Sequence, residues 1–269
     1  MLYIEVPAPY DFALSSERFR AFGRDPASLW DDGGLHRAIA ARDVRIEAAP
    51  GGVRVEPADE VVLPVIRHLL GLAFDLDGFR ALAGRDPVLG PLEQRLRGFR
   101  PMLVPDPWEM LVGSITAQQV SLVAATAVRR RLVERFGRPV GVAWAFPPPE
   151  AIASVAPDEL VAIGFSRRKA EYVLAAARSA SSLTVLRGLP DDEVKERLVR
   201  LRGIGEWTAD WFLARHLGRA RAWPAGDLGL RKAVAAFYGP AADVRAFGER
   251  FAPFENLAAQ YLLLGLRTP

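Results

Sequence analysis

The chain has 269 residues, half of them apolar and a quarter charged, enough for one large or two ordinary domains with real cores. It contains no cysteine, which excludes disulfides, thiol nucleophiles, zinc–thiolate sites and cysteine-ligated iron–sulfur clusters; its three histidines, His36, His68 and His216, are too scattered to suggest a metal triad. The net charge of +3 is uneven: residues 1–100 hold 13 Lys/Arg against 15 Asp/Glu and residues 101–269 hold 22 against 17, so the C-terminal part is the better fit to a polyanion.

No apolar run reaches the ~18 residues of a membrane span. The first residues, MLYIEVPAPYDFAL, lack a basic region followed by an apolar one, so no signal peptide is expected and the cytoplasm is the default location.

Residues 2–6 read as a strand, and Ser15-Ser16 as the cap of a short helix running to Phe22. Asp31-Asp32-Gly33-Gly34 is a turn. Segments 36–40, 44–48 and 53–56 alternate or run β-branched, with Pro50-Gly51-Gly52 as a hairpin loop, which together predict a small antiparallel sheet. Helical periodicity returns at 63–72, 77–83 and 89–96. The fold class expected is α+β: an N-terminal domain over 1–100 rich in β-structure, then an all-helical domain over 101–269.

Pro107 suits the first position of a helix. Met110, Leu111, Ile115, Val120, Val123, Ala127 and Leu132 are the expected core positions of two helices that break at 117–121. That corner, Ala117-Gln118-Gln119-Val120-Ser121, is polar where its flanks are apolar. Short helices follow at 147–151 and 157–163. A long one spans 167–180, with Arg167-Arg168-Lys169 at its start, where a backbone phosphate and bulk water are equally good partners. Three helices close the chain at 230–238, 243–251 and 254–266.

The most informative stretch is 201–230, LRGIGEWTADWFLARHLGRARAWPAGDLGL. The turn Gly203-Ile204-Gly205 lets backbone approach another object with no Cβ in the way. A helix after it presents free N–H groups at Glu206, Trp207 and Thr208, suited to a phosphate. Trp207 and Trp211 lie one turn apart on one face. After the Gly218 stop and the Trp223-Pro224-Ala225-Gly226 loop comes one carboxylate, Asp227, at the start of the next helix; an N-cap role alone would also suit it.

Turn, helix, Pro/Gly loop and Asp in this order resemble the helix-hairpin-helix plus Gly/Pro-Asp signature of the base-excision DNA glycosylase superfamily. The opening FRAFGRDPASLWDDGGLHRAI is similar to the amino-terminal β-rich domain of its alkyl-purine and oxoguanine branches, and Trp207 to the alkyl-purine branch, bacterial 3-methyladenine DNA glycosylase II. The resemblance implies that Gly203, Ile204, Gly205, Glu206 and Thr208 grip double-stranded DNA and that Gln119, with Gln118 beside it, fills the gap left by a flipped base. It further implies that Trp207 and Trp211 form the base pocket and that Asp227 drives cleavage of the N-glycosidic bond. The family's hairpin commonly holds Na+ or K+ on backbone carbonyls, which match Val199, Leu201 and Ile204; the chemistry itself needs no cofactor. Lyase members carry a lysine at the position of Trp207, so a monofunctional enzyme is expected. Its expected form is a monomer acting on damaged bases such as 3-methyladenine or 7-methylguanine.

One departure is visible: the branch has a tryptophan in its last helix, whereas 261–264 here is Tyr-Leu-Leu-Leu, which leaves the far wall of the pocket open. A glycosylase for deaminated or oxidised bases, and a non-catalytic hairpin module, are the alternatives.

Overall fold

The computed structural model describes residues 2–268. Five strands, β1 (Leu2–Glu5), β2 (Leu29–Asp31), β3 (Gly34–Ile39), β4 (Arg42–Ala49) and β5 (Gly52–Glu56), form one antiparallel sheet in the order β1-β5-β4-β3-β2. The alternation read in the sequence sets its faces. Leu35, Ile46 and Val55 align across β3, β4 and β5 and are fully buried, while Arg45 and Glu47 face outward. Gly51, at φ +74, makes the β4–β5 turn.

The first helix differs from expectation. α1 (Phe12–Ser15) starts earlier because Asp11 caps it, accepting from the Leu14 N–H at 2.8 Å. The Ser16 hydroxyl donates back to the Phe12 carbonyl at 2.6 Å instead of capping forward, so only a single 3-10 turn, Glu17–Phe19, follows.

Helix α2 (Val62–Leu69) lays Val62, Ile66 and Leu69 on the sheet, completing a first core. Phe74 and most buried apolar side chains after it, Met102 excepted, belong to a second, helical core, so α3 (Leu76–Ala83) and α4 (Leu89–Arg95) pack with the C-terminal part although they precede residue 100. That core also takes α5 (Pro107–Ala117), α6 (Leu122–Phe136), α7 (Pro149–Ala153), α8 (Pro157–Ala162), α9 (Arg167–Arg178) and α10 (Asp191–Val199). It continues through α11 (Glu206–Phe212), α12 (Leu228–Tyr238), α13 (Val244–Gly248) and α14 (Glu255–Arg267). Every residue of α14 from Glu255 to Gly265 is buried; Tyr261 donates to the Phe99 carbonyl at 2.8 Å and packs on Phe79.

Two corrections concern the second half. It is not entirely helical: β6 (Arg138–Val140) and β7 (Ala143–Ala145) form a hairpin that leans on β3, with Gly141 at φ +62 in its turn and the Val142 N–H bound to Asp43 at 2.9 Å. Strands of three residues carry too little alternation to be read. Val120 and Val123, expected in the core, are 46% and 60% exposed, because Ser121 caps α6 and its first turn projects beyond the body. Ala125, Leu132 and Val133 make that helix's buried face instead.

The halves are joined by buried ions. Arg37 on β3 makes a two-toothed bond to Glu109 on α5, at 3.1 and 2.6 Å, and Glu109 also receives Arg129 of α6 at 2.7 Å. Arg129 reaches Asp25 at 2.7 Å as well. Burial pushes the Glu109 carboxyl up, but Arg37 and Arg129 outweigh it and hold the group below its ordinary value.

Candidate active site and nucleic-acid interface

The hairpin sits where α10 ends and α11 begins. The Ile204 N–H returns to the Leu201 carbonyl at 3.0 Å, closing a turn in which Gly203 has φ +84. A Cβ at Gly203 would stand 2.1 Å from the Tyr172 ring of α9, so glycine is required twice, by conformation and by contact. Gly205 is different: its backbone is ordinary extended chain, and a Cβ there would meet nothing within 4 Å. The open space lies outside the protein, at the N-terminus of α11, where free N–H groups favour an anion.

Underneath, Asp210 of α11 is 1% exposed and braced by Lys195 of α10 at 2.7 Å and Arg245 of α13 at 3.5 Å; burial raises its pKa, with Lys195 opposing. Glu206 is exposed and paired with Arg245 at 2.8 Å. Thr208 is 1% exposed, so its side chain belongs to the interior and only its backbone lies at the helix start.

The corner between α5 and α6 stands beside the hairpin. Gln119 is exposed and adopts φ +55, a left-handed conformation uncommon for a side chain of its kind. Val120, Leu122 and Val123 around it are 46–60% exposed, an apolar rim about a polar tip. Gln118 faces the other way. Its amide donates to the Gly203 carbonyl at 3.0 Å and to the Thr208 hydroxyl at 3.3 Å, which ties corner to hairpin. Lys169, from the basic cluster at the start of α9, donates to the Thr116 carbonyl at 2.9 Å and so serves the same corner.

Asp227 caps α12: its Oδ1 accepts the Leu230 N–H at 2.9 Å. Its other oxygen, Oδ2, accepts the indole N–H groups of both Trp207 and Trp211, at 3.0 and 3.1 Å. Capping and a further role therefore coexist on different oxygens. The i, i+4 spacing of the two tryptophans brings both N–H groups to one carboxylate, and the Trp223 ring, tied to the Val244 carbonyl at 2.8 Å, anchors the loop that presents it.

A small recess of about 20 Å³ is walled by the α1 region and by Gln260, Leu263 and Arg267 of α14. Leu263 and Asp227 flank the same point: a Cβ placed at Gly229 would be 3.0 Å from Asp227 Oδ1 and 3.2 Å from Leu263. Leu263 is thus a residue of the last helix that stands beside Asp227. Arg215, which sequence reasoning passed over, also lines the recess, its guanidinium 4.3 Å above the Trp211 ring. The signal was present, since Trp207, Trp211 and Arg215 follow one another at intervals of four.

Val199, Leu201 and Ile204 lie at the end of α10 and in the hairpin turn, and they offer carbonyl oxygens only. Among the described residues there is no cluster of His, Asp or Glu that could hold a metal ion, and no helix is long and apolar enough to cross a membrane.

A hairpin open to phosphate, a projecting corner and a carboxylate held by two indole N–H groups define a helix-hairpin-helix protein with an acidic site. The chain belongs to the HhH-GPD superfamily of base-excision DNA repair proteins, whose family model matches residues 112–249. Its relatives include a DNA-3-methyladenine glycosylase of Bacillus subtilis, 32% identical over 64% of this chain and 59% of that protein. A probable bifunctional transcriptional activator/DNA repair enzyme AlkA of Mycobacterium tuberculosis is 34% identical over 76% of this chain and 42% of that protein. The chain therefore spans less than two thirds of the length of these relatives. Among solved structures, a 3-methyladenine DNA-glycosylase from Archaeoglobus fulgidus superposes with a TM-score of 0.89 at 28% identity, covering 99% of this chain and 98% of that one. The Schizosaccharomyces pombe 3-methyladenine DNA glycosylase in complex with abasic DNA gives 0.61 at 28% identity, covering 70% and 95%.

Proposed function

We propose that the protein is a monofunctional DNA glycosylase that takes an alkylated purine of the 3-methyladenine or 7-methylguanine type out of duplex DNA and releases it by hydrolysis. The observation that carries this reading is the Asp227 carboxylate, oriented by three N–H donors, two of them from the helix that follows the hairpin. As the glycosidic bond breaks, its electron pair leaves with the base and the sugar becomes cationic. A carboxylate already in place stabilises that cation and orients the water that adds to it. The relatives' names support the substrate class.

The remaining parts follow from the geometry. The hairpin and the start of α11 would hold a backbone phosphate through N–H groups, which positions the duplex without reading its sequence. Gln119, on its strained corner with an apolar rim, would occupy the space vacated by the base. A Na+ or K+ would be held by the carbonyls of Val199, Leu201 and Ile204, an all-oxygen set suited to a hard cation, and would fix the turn that meets the phosphate.

Strand cleavage in the superfamily needs an amine where Trp207 stands. Lys195 is committed to Asp210, Lys169 to the Thr116 carbonyl, and Lys232 is exposed on α12. The reading is tested with defined duplexes, each bearing one lesion. Release of 3-methyladenine or 7-methylguanine, an intact strand with an abasic site, and no enzyme–DNA adduct trapped by borohydride are expected. A trapped adduct would overturn the monofunctional reading. Release confined to uracil or 8-oxoguanine would overturn the substrate class, and binding without any release would leave only a DNA-binding module.

A further inference from the structure

The hairpin turn that would meet a phosphate is followed at once by an acid. Glu206 comes directly after Gly205, whose outward side is open, and its carboxyl side chain is 64% exposed. An acid in the first turn suits a helix, but beside a phosphate it is a like charge. Four residues on, Asp210 adds a second carboxylate beneath the same turn, 1% exposed. Two cations answer them. Lys195 of α10 meets Asp210 at 2.7 Å. Arg245 of α13 meets Glu206 at 2.8 Å and Asp210 at 3.5 Å through one nitrogen, Nη2.

The backbone around Arg245 is fixed. Asp243 caps α13 by accepting the N–H groups of Arg245 at 2.8 Å and Ala246 at 3.2 Å. The Val244 carbonyl accepts the Trp223 indole N–H at 2.8 Å, and a Cβ at Gly248 would lie 2.7 Å from the Trp223 ring. The loop that presents Asp227 therefore also places Arg245. Its guanidinium is committed there. Withdrawal toward DNA would leave Asp210, a buried carboxylate, with one cation instead of two, and that costs more than an exposed ion contact gains. With both cations in place, the two acids and two bases sum to zero charge beside the hairpin.

Resting on the reading of the hairpin as the DNA grip, we propose that Arg245 is a positioning residue of that interface, which holds the Glu206 carboxylate aside and cancels its charge so that a backbone phosphate can dock. Glu206 then serves the grip with its backbone N–H and opposes it with its side chain. The carboxylate limits affinity for duplexes of any sequence, and Arg245 sets how strong that limit is.

The test measures affinity for an intact, lesion-free duplex by fluorescence anisotropy, at low and at high salt, for wild type, Glu206→Gln, Arg245→Gln and the double variant. A unit charge about 4–6 Å from a phosphate in water changes affinity roughly 3- to 6-fold. Glu206→Gln is expected to bind tighter than wild type by that factor, and Arg245→Gln weaker by it. The double variant, neutral again beside the hairpin, is expected to return to within about 2-fold of wild type. All these differences should shrink at high salt, since Glu206 and Arg245 are exposed to it. A double variant as weak as Arg245→Gln overturns the inference, because Arg245 then grips the phosphate itself or serves only the fold. So does a Glu206→Gln protein that binds no tighter than wild type, which decides the matter even if Arg245→Gln fails to fold. Base release is read separately on a lesion duplex: the expected affinities without release would overturn the glycosylase reading and leave this inference standing. A wild type that binds no duplex overturns both.

Discussion

Gln118 donates its side-chain amide to the Gly203 carbonyl at 3.0 Å, so the corner that would enter the duplex and the turn that would grip it are held by one side chain. The bond is partly shielded, and its second branch reaches Thr208 inside α11. Replacing it with Gln118→Met keeps the length and removes the amide. The two parts then lose their fixed spacing, and affinity for lesion-bearing and intact duplexes is expected to fall together by about 0.5–1.5 kcal/mol. Fluorescence anisotropy on paired duplexes checks this; a loss confined to the lesion duplex would assign Gln118 to the base instead.

The two hairpin glycines should separate fold from binding. Gly203→Ala meets both a left-handed backbone and the Tyr172 ring, and is expected to lower the melting temperature. Gly205→Val has neither obstacle inside the protein. It should melt close to wild type yet bind lesion and non-lesion DNA more weakly, because its side chain enters the space a phosphate would use. A Gly205→Val protein with wild-type affinity would remove the hairpin from the interface.

Glu109 neutralises two buried arginines from opposite halves of the molecule. Glu109→Ala leaves Arg37 and Arg129 close together with one remaining acid, Asp25, and is expected to cost about 3–5 kcal/mol in chemical denaturation. A loss below ~1 kcal/mol would show that the network is solvated in solution.

The sheet and the helical signature were legible because periodicity and glycine chemistry are local. Ile46 and Val55 announce their face by alternation, and Gly203 its turn by lacking a side chain. Asp227 and its tryptophans were legible too, since the spacing of 207 and 211 puts both on one face. What depended on contacts between distant segments was not. Gln118 reads as a residue facing DNA until Gly203 is seen opposite it, 85 positions along. The β6–β7 hairpin was invisible because strands of three residues have no period, and Val123 looked like core because helical spacing does not say where a helix leaves the body of the protein. Arg215 was hidden by its charge, which marks a surface residue unless a recess is known to surround it.

His216 is 3% exposed, donates from Nδ1 to the Val104 carbonyl at 2.8 Å and has its pKa lowered by burial to about 4. The unfolded chain binds its proton near 6.5 and the folded chain only near 4, so stability is present in full above pH 6.5 and declines as pH falls between those values. The contribution is on the order of 3 kcal/mol. His216→Gln should flatten the dependence of unfolding free energy on pH across this window by about one proton. An unchanged slope would place the titration elsewhere.

The central claim is that Asp227 does chemistry as well as capping. Asp227→Asn keeps an oxygen for the Leu230 N–H but loses the charge, and its amide opposes the indole donors. The decisive measurement is single-turnover release of 7-methylguanine from a duplex to which wild type and variant bind equally. A rate lower by about 2–4 kcal/mol of transition-state stabilisation, roughly 30- to 1000-fold, with unchanged affinity is the expected result. Release at the wild-type rate would reduce Asp227 to a helix cap and contradict the account.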